Sequence, residues 1–414
     1  TETIEAGLDM SMVPNDPEYK NYQSYVVENA REGMIPMKRI DESVRRILRV
    51  KFKLGLFDFP LYKASEFEKY NSADFQAAAT ESAIQSLTLL RNNDNLLPLG
   101  DAAKVLVTGP GANSLNVQNG AWTHTWQGVE TQYNKDLPTV QEAIKDLIGD
   151  ERHTFVQGTE LDEEIDINQA VQAAANVDVI IVCIGEIPST EKPGDINDLQ
   201  LPQAQVDLVK ALKKTGKKMV GVLIQNRPQI IDKVEADFDA IINAYEPGDY
   251  GGIALAQVLF GKAEPSGRIP FTYPRHSGDF THYDHKFAEK RDPKFAFDAI
   301  NPLFNFGDGM GYTTFEYSDL RLSTNRIGPG GRVRVTVNVK NTGEREGKEV
   351  VQLYVQDLYA TIAPPLKRLR DFTKITVKPG ETEVVSFNLT TRDLAFVDHN
   401  LKWKTEKGEF EVKI

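Results

Sequence analysis

A single cysteine among 414 residues, Cys183, leaves the chain no internal disulfide. It sits inside an apolar run, 179–184, so its thiol is expected to be a small buried hydrophobe and not a nucleophile. No apolar run approaches the length of a membrane span. Positive charge is in deficit: 48 Lys and Arg stand against 60 Asp and Glu, and the net charge of −12 would repel nucleic-acid phosphates while suiting a neutral partner. Histidine is scarce too, with six in the chain. Three of them, His276, His282 and His285, fall close together at spacings that match no zinc pattern, so neither metal nor other cofactor is implied. Thr1 is not a start methionine and no signal or transit segment precedes the first structured motif, so the chain reads as beginning inside a larger protein.

What is present is enough chain for two or three domains. Residues 1–60 read as helical. Asp41 is the expected N-cap of a helix in which Val44, Ile47 and Leu48 share a face, and Leu54-Gly55 supplies the stop signal. Arg45, Arg46, Arg49 and Lys51 fill the opposite, solvated face. Nothing else in the first 60 residues is large enough to cover the apolar stripe, which marks the segment as the tail of a larger unit.

From Ser72 to about Tyr273 helices alternate with apolar strands, the signature of an α/β layered sheet. The expected helices include 75–90 and 203–213; the expected strands are 104–108, 179–184, 219–224 and 240–245. Gly109-Pro110-Gly111-Ala112-Asn113 follows the first of these strands, but the third glycine and the ribose-binding acid of a dinucleotide site are missing. Between 274 and 305 periodicity is lost, and His276, His282, His285, Lys286, Lys290 and Arg291 gather in what reads as a linker packed over a domain junction. The last hundred residues are β in pattern. Val333, Val335, Val337 and Val339 alternate with Arg334, Thr336 and Asn338 ahead of an Asn341-Thr342-Gly343 turn, and further short strands lie near 350–355, 374–377, 383–389 and 410–414. They make a sandwich with no evident catalytic constellation, hence an accessory module.

The stretch with most chemistry follows strand 179–184. Gly185-Glu186-Ile187-Pro188-Ser189-Thr190-Glu191-Lys192-Pro193-Gly194-Asp195 delivers three carboxylates and a lysine to the carboxyl end of a parallel strand, where open α/β sheets place ligands. Its prolines and glycines keep it from becoming helix. The composition alone also suits a solvated acidic loop.

Taken in order, a series of motifs resembles glycoside hydrolase family 3, in its β-glucosidase and β-glucan exohydrolase branch. Ala6-Gly7-Leu8-Asp9-Met10 with Met12, Gly33-Met34-Ile35-Pro36, Arg39-Ile40-Asp41 and Lys51-Phe52-Lys53-Leu54-Gly55-Leu56-Phe57 are similar to the close of that family's N-terminal barrel. Leu89-Leu90-Arg91-Asn92, Leu96-Leu97-Pro98-Leu99, Trp122-Thr123-His124-Thr125-Trp126-Gln127-Gly128, the 185–195 loop, Tyr245-Glu246-Pro247-Gly248 with Gly251-Gly252, and Pro265-Ser266-Gly267-Arg268-Ile269-Pro270 continue the series. Each is modest alone; their order along the chain is specific.

The resemblance implies an α/β protein in several parts. Residues 1–60 would end a (β/α)8-type barrel, 61–73 link it to an α/β sandwich domain at 74–275, and 276–310 lead to a fibronectin type III-like β-sandwich at 311–414. It places the nucleophilic aspartate upstream of Ala6-Gly7-Leu8-Asp9-Met10, outside this chain, and Asp9 after it. It maps the acid/base residue onto Glu191, with Glu186 as runner-up and Asp195 shaping the loop. A general acid at neutral pH needs a raised pKa, which Lys192 would oppose if it pointed the same way; without the barrel, Glu191 is expected to be an ordinary exposed acid. The leaving sugar is expected at Trp126 and Trp122, and Met12 is expected to touch the terminal sugar. The implied activity is a retaining exo-β-glucosidase acting on oligosaccharides or aryl β-glucosides in the periplasm or outside the cell, with homodimerisation through the accessory domain as a further expectation. β-Xylosidase specificity, or a non-catalytic sugar-binding or scaffold role, are the alternatives.

Overall fold

The computed structural model describes residues 1–128, 136–279, 282–284, 286 and 301–414, and the chain divides into two compact units, Thr1–Phe75 and Gln76–Ile414. The first is helical: α1 (Glu2–Glu5), α2 (Glu18–Arg31) and α3 (Met37–Lys53). Helix α3 starts earlier than its sequence suggests. Pro36, extended at φ −62° and ψ 132°, takes the N-cap place, so Asp41 lies within the helix and caps nothing. The stop is as expected, with Gly55 at φ +68° beyond Leu54. Arg39 is the stitch of this unit. Its guanidinium donates to Ile4 O at 2.7 Å, Ser43 Oγ at 2.6 Å and Asp9 Oδ1 at 3.0 Å, while Arg46 reaches Asp9 at 2.9 Å. Against a desolvation that raises it, bonds from Ser43, Arg39 and Arg46 hold the Asp9 carboxyl below its usual range. Val44 and Leu48 stay exposed, as do Arg45, Arg49 and Lys51.

The second unit begins within α4 (Ala73–Ser86) and continues with β1 (Thr88–Asn92), β2 (Val105–Thr108), α5 (Leu115–Asn119), α6 (Val140–Ile148), β3 (His153–Phe155), α7 (Ile167–Ala173), β4 (Val179–Gly185), α8 (Gln203–Lys213), β5 (Lys218–Ile224), β6 (Ala240–Asn243) and α9 (Gly251–Leu259). The expected helix at 75–90 is thus two elements. Thr88-Leu89-Leu90 is a short apolar run that periodicity alone cannot assign, and antiparallel pairing with β6 (Thr88↔Asn243, Leu89↔Ile242) makes it a strand. The six strands lie in the order β1-β6-β5-β4-β2-β3, parallel apart from β1.

Period-2 alternation sends each strand to two cores. Val179, Ile181 and Cys183 face one layer with Ile144 of α6 and Leu255 of α9; Ile180, Val182 and Ile184 face the other with Ala170 of α7 and Leu208 of α8. The result is a three-layer α/β/α sandwich. Cys183 is fully buried, which pushes its thiol up to about 12 and leaves it inert as a nucleophile. Gly111 donates its N–H to Cys183 O at 3.1 Å, so the Gly109-Pro110-Gly111 turn folds back onto β4.

Eight strands follow: β7 (Phe315–Leu322), β8 (Arg332–Asn341), β9 (Gly347–Asp357), β10 (Arg368–Val377), β11 (Thr382–Thr390), β12 (Phe396–Val397), β13 (Trp403–Lys404) and β14 (Phe410–Lys413). Sheets β10-β9-β14 and β11-β8-β7 close on a core that includes Val335, Val337, Leu353 and Phe387. The register Val333↔Leu389, Val335↔Phe387, Val337↔Val385 puts the alternating valines of β8 inward. This sandwich is tied to the α/β layers by Arg268, 2.6 Å from Glu349, and by Glu264, whose Oε1 accepts the N–H groups of Tyr312 (2.6 Å) and Thr313 (3.2 Å). Of the expected linker, residues 280, 281, 285 and 287–300 lie outside the described residues, and with them His285, Lys290 and Arg291. Lys286 bridges to Pro365, and Asp284 pairs with Arg368 at 2.6 Å.

Candidate active site

Strand β4 ends at Gly185, where a Cβ would overlap the Ile224 carbonyl of β5. Gln205 of α8 fixes that end, accepting the Gly185 N–H at 3.0 Å and donating to its carbonyl at 2.9 Å. The chain leaves the sheet from a rigid point. Glu186, 9 % exposed, turns back into the protein. Its Oε1 accepts the N–H groups of Asn226 (3.1 Å) and Arg227 (3.0 Å), and its Oε2 lies 2.8 Å from Arg227 Nε. Burial raises its carboxyl above the usual range, and Arg227 and Asn226 counter only part of the rise.

Arg227 organises the rest of the loop. Its Nη1 donates to Gly194 O at 2.7 Å and its Nη2 to Ser189 Oγ at 2.8 Å, while Asn226 Nδ2 donates to Ser189 O at 2.9 Å. A turn of backbone bonds, Gly194 N to Glu191 O at 2.9 Å and Asp195 N to Lys192 O at 3.1 Å, closes the tip. Asp195 enters that turn through its backbone N–H. Glu191 stands at the tip, exposed, with φ +55° and ψ −153°, a conformation that ordinarily belongs to glycine.

The tryptophan motif forms a second turn. Trp122, at φ +62°, donates its N–H to Thr125 O at 2.9 Å, and the Gly128 N–H reaches Thr125 Oγ1 at 3.2 Å. Trp126 is 47 % exposed and Trp122 64 % exposed. The two turns are joined by Gln127, which donates from Nε2 to Thr190 O and accepts the Thr190 N–H at Oε1, both at 3.1 Å. Trp126 and Glu191 are therefore one residue away from either end of the same pair of bonds. Met12 is 93 % exposed and lies in the N-terminal unit.

Reading the sequence placed Glu246 in a motif but gave it no role, although its surroundings alter its carboxyl strongly. Glu246, just beyond β6, has its carboxyl pushed up to about 7, first by burial and then by the charge of Glu186, against the Ala121 N–H and Arg227. It lines a cleft of about 430 Å³ with Thr123, Asp249, Tyr250, Ser82 and Ser86. The available signal was its place after an apolar parallel strand. His124 Nε2 lies 2.9 Å from Asp249 Oδ1, tying the tryptophan turn to the same segment. Among the described residues no group of three or more His, Cys, Asp or Glu is arranged to hold a metal ion, and no helix is long and apolar enough to cross a membrane.

Residues 87–312 match the glycosyl hydrolase family 3 C-terminal domain, and residues 349–414 match a fibronectin type III-like domain. The chain belongs to glycoside hydrolase family 3. Among its relatives in this family, a lysosomal beta glucosidase of Dictyostelium discoideum is 36 % identical over all of this chain and 52 % of that protein. A periplasmic beta-glucosidase of Salmonella typhimurium is 34 % identical over 99 % of this chain and 58 % of that protein, and a beta-xylosidase of Formosa agariphila is 33 % identical over 99 % and 58 %. The crystal structure of a beta-glucosidase from Listeria innocua in complex with isofagomine superposes with a TM-score of 0.88 at 28 % identity, covering 99 % of this chain and 57 % of that one. The chain thus spans little more than half the length of these family 3 proteins.

Proposed function

We propose that this chain carries the acid/base half of a retaining exo-β-glucosidase. Glu191 donates a proton to the glycosidic oxygen as the C–O bond breaks, while an aspartate from the part of the relatives that lies beyond this chain bonds to the anomeric carbon. Glu191, now a carboxylate, takes a proton from water, whose oxygen displaces that aspartate and restores the original configuration. Trp126 and Trp122 offer aromatic faces to the leaving sugar, and Met12 is assigned to the terminal sugar.

The observation that carries the reading is the contrast between the two glutamates of one loop. Glu186 is turned inward and saturated by Asn226 and Arg227, whereas Glu191 is held out at the tip in a backbone conformation that costs about 1–3 kcal/mol. Such strain is maintained where the surrounding bonds over-determine it, and Arg227 and Gln127 supply those bonds.

The test is hydrolysis of aryl β-glucoside by the complete enzyme, wild type and Glu191→Ala, with and without azide. Loss of about 10²–10⁴-fold in the variant, with azide rescue yielding β-glucosyl azide, is expected for an acid/base residue. Unchanged turnover would remove Glu191 from that role. A β-xylosidase specificity is the second reading, favoured by the Formosa agariphila relative, and parallel assays on aryl β-xyloside separate the two.

A further inference from the structure

We infer that Gln127 is a positioning residue for Glu191, its side-chain amide fixing the peptide planes on both sides of Thr190 and so coupling the tryptophan turn to the proton-donating loop. The inference rests on the reading of Glu191 as the acid/base residue. Thr190 O belongs to the peptide plane shared with Glu191, and Thr190 N to the plane before it. One primary amide holds both, at 3.1 Å each. Arg227 and Asn226 fasten the loop at Ser189 and Gly194, on either side of the tip, and Gln127 fastens it one residue from Glu191.

The backbone of Glu191 is uphill at φ +55°. Freeing the Thr190–Glu191 plane lets that torsion relax, and the carboxyl swings with it. The anchor for the amide is itself firm, because Gln127 lies between Trp126, whose carbonyl accepts the Trp122 N–H at 3.3 Å, and Gly128, bonded to Thr125. The turn that carries Trp126 and the acid that must protonate the leaving group are therefore linked through one side chain.

The experiment compares kcat/KM of the complete enzyme on phenyl and 2,4-dinitrophenyl β-glucoside, two leaving groups built on one ring that differ in their need for protonation. Gln127→Leu is expected to lose about 100-fold on the phenyl substrate and less than about 5-fold on the dinitrophenyl one, as for an ångström-scale displacement of the proton donor. The ratio of the two is independent of how much protein folds. Gln127→Glu keeps the acceptor for the Thr190 N–H and loses the donor when ionised, so its ratio should lie between wild type and Gln127→Leu. Equal losses on both substrates, or none, would overturn the inference. Glu191→Ala is run alongside. If it shows the leaving-group dependence and Gln127→Leu does not, only the positioning role falls; if Glu191→Ala lacks it, the acid assignment falls and the inference with it.

Discussion

Gly120 stands against the carboxyl group of Glu246 so closely that a Cβ at position 120 would overlap it. Gly120 also takes φ +74°, where an L side chain is strained whatever the space. Both terms predict that Gly120→Ala destabilises, with overpacking alone costing about 1–3 kcal/mol. Because part of the cost is the overlap with one side chain, Gly120→Ala/Glu246→Ala should lose less than the sum of the single variants. Urea midpoints of the four proteins measure this, and strict additivity would show that the two residues do not press on each other.

The same packing gives Glu246 a pH signature. Its carboxyl titrates at about 7 in the folded protein against 4.5 ordinarily, so the folded state binds the proton more tightly than the unfolded chain does. Stability from this group is therefore fully present below pH 4.5 and is lost as pH rises through about 7. Glu246→Gln, neutral throughout, should flatten the decline in melting temperature between pH 5 and 8 and gain most over wild type at the alkaline end. A parallel decline in both proteins would assign the pH dependence to other groups.

How much of this was legible beforehand depends on the distance over which each feature is decided. The β8 valines announce their inward face because a two-faced sheet imposes period 2 locally, and β11 merely accepts that register. Leu54-Gly55 ends α3 by backbone geometry confined to a few residues. Thr88-Leu89-Leu90 was not legible, since its partner strand β6 lies more than a hundred residues on. Nor was the start of α3, where Pro36 stands at the N-cap place expected of Asp41 and supplies no side-chain cap. At the site, the loop after β4 stands out in the sequence, but the division of labour between Glu186 and Glu191 comes from Asn226 and Arg227, brought in from the end of β5. Glu246 was legible there only as part of a motif for the same reason: its raised carboxyl is made first by burial, with Gly120 packed against it, and then by the charge of Glu186, neither residue a neighbour in sequence.

That division of labour yields the last expectation. Removing the Glu186 carboxylate leaves the Asn226 and Arg227 N–H groups without their acceptor and the partly buried guanidinium without its carboxylate partner, although Arg227 Nε keeps Asn226 Oδ1 at 3.2 Å; such a loss ordinarily costs about 1–3 kcal/mol. Arg227 is also the fastening of Ser189 and Gly194, so the disturbance spreads through the whole loop. Glu186→Ala should therefore lower the melting temperature and reduce kcat/KM equally for phenyl and 2,4-dinitrophenyl β-glucoside, without rescue by azide. Glu191→Ala should do the reverse, leaving the melting temperature near wild type while selectively abolishing turnover of the poorer leaving group. Should azide rescue Glu186→Ala and not Glu191→Ala, the two residues would have to exchange roles, with the inward glutamate turning outward in the complete enzyme to reach the glycosidic oxygen.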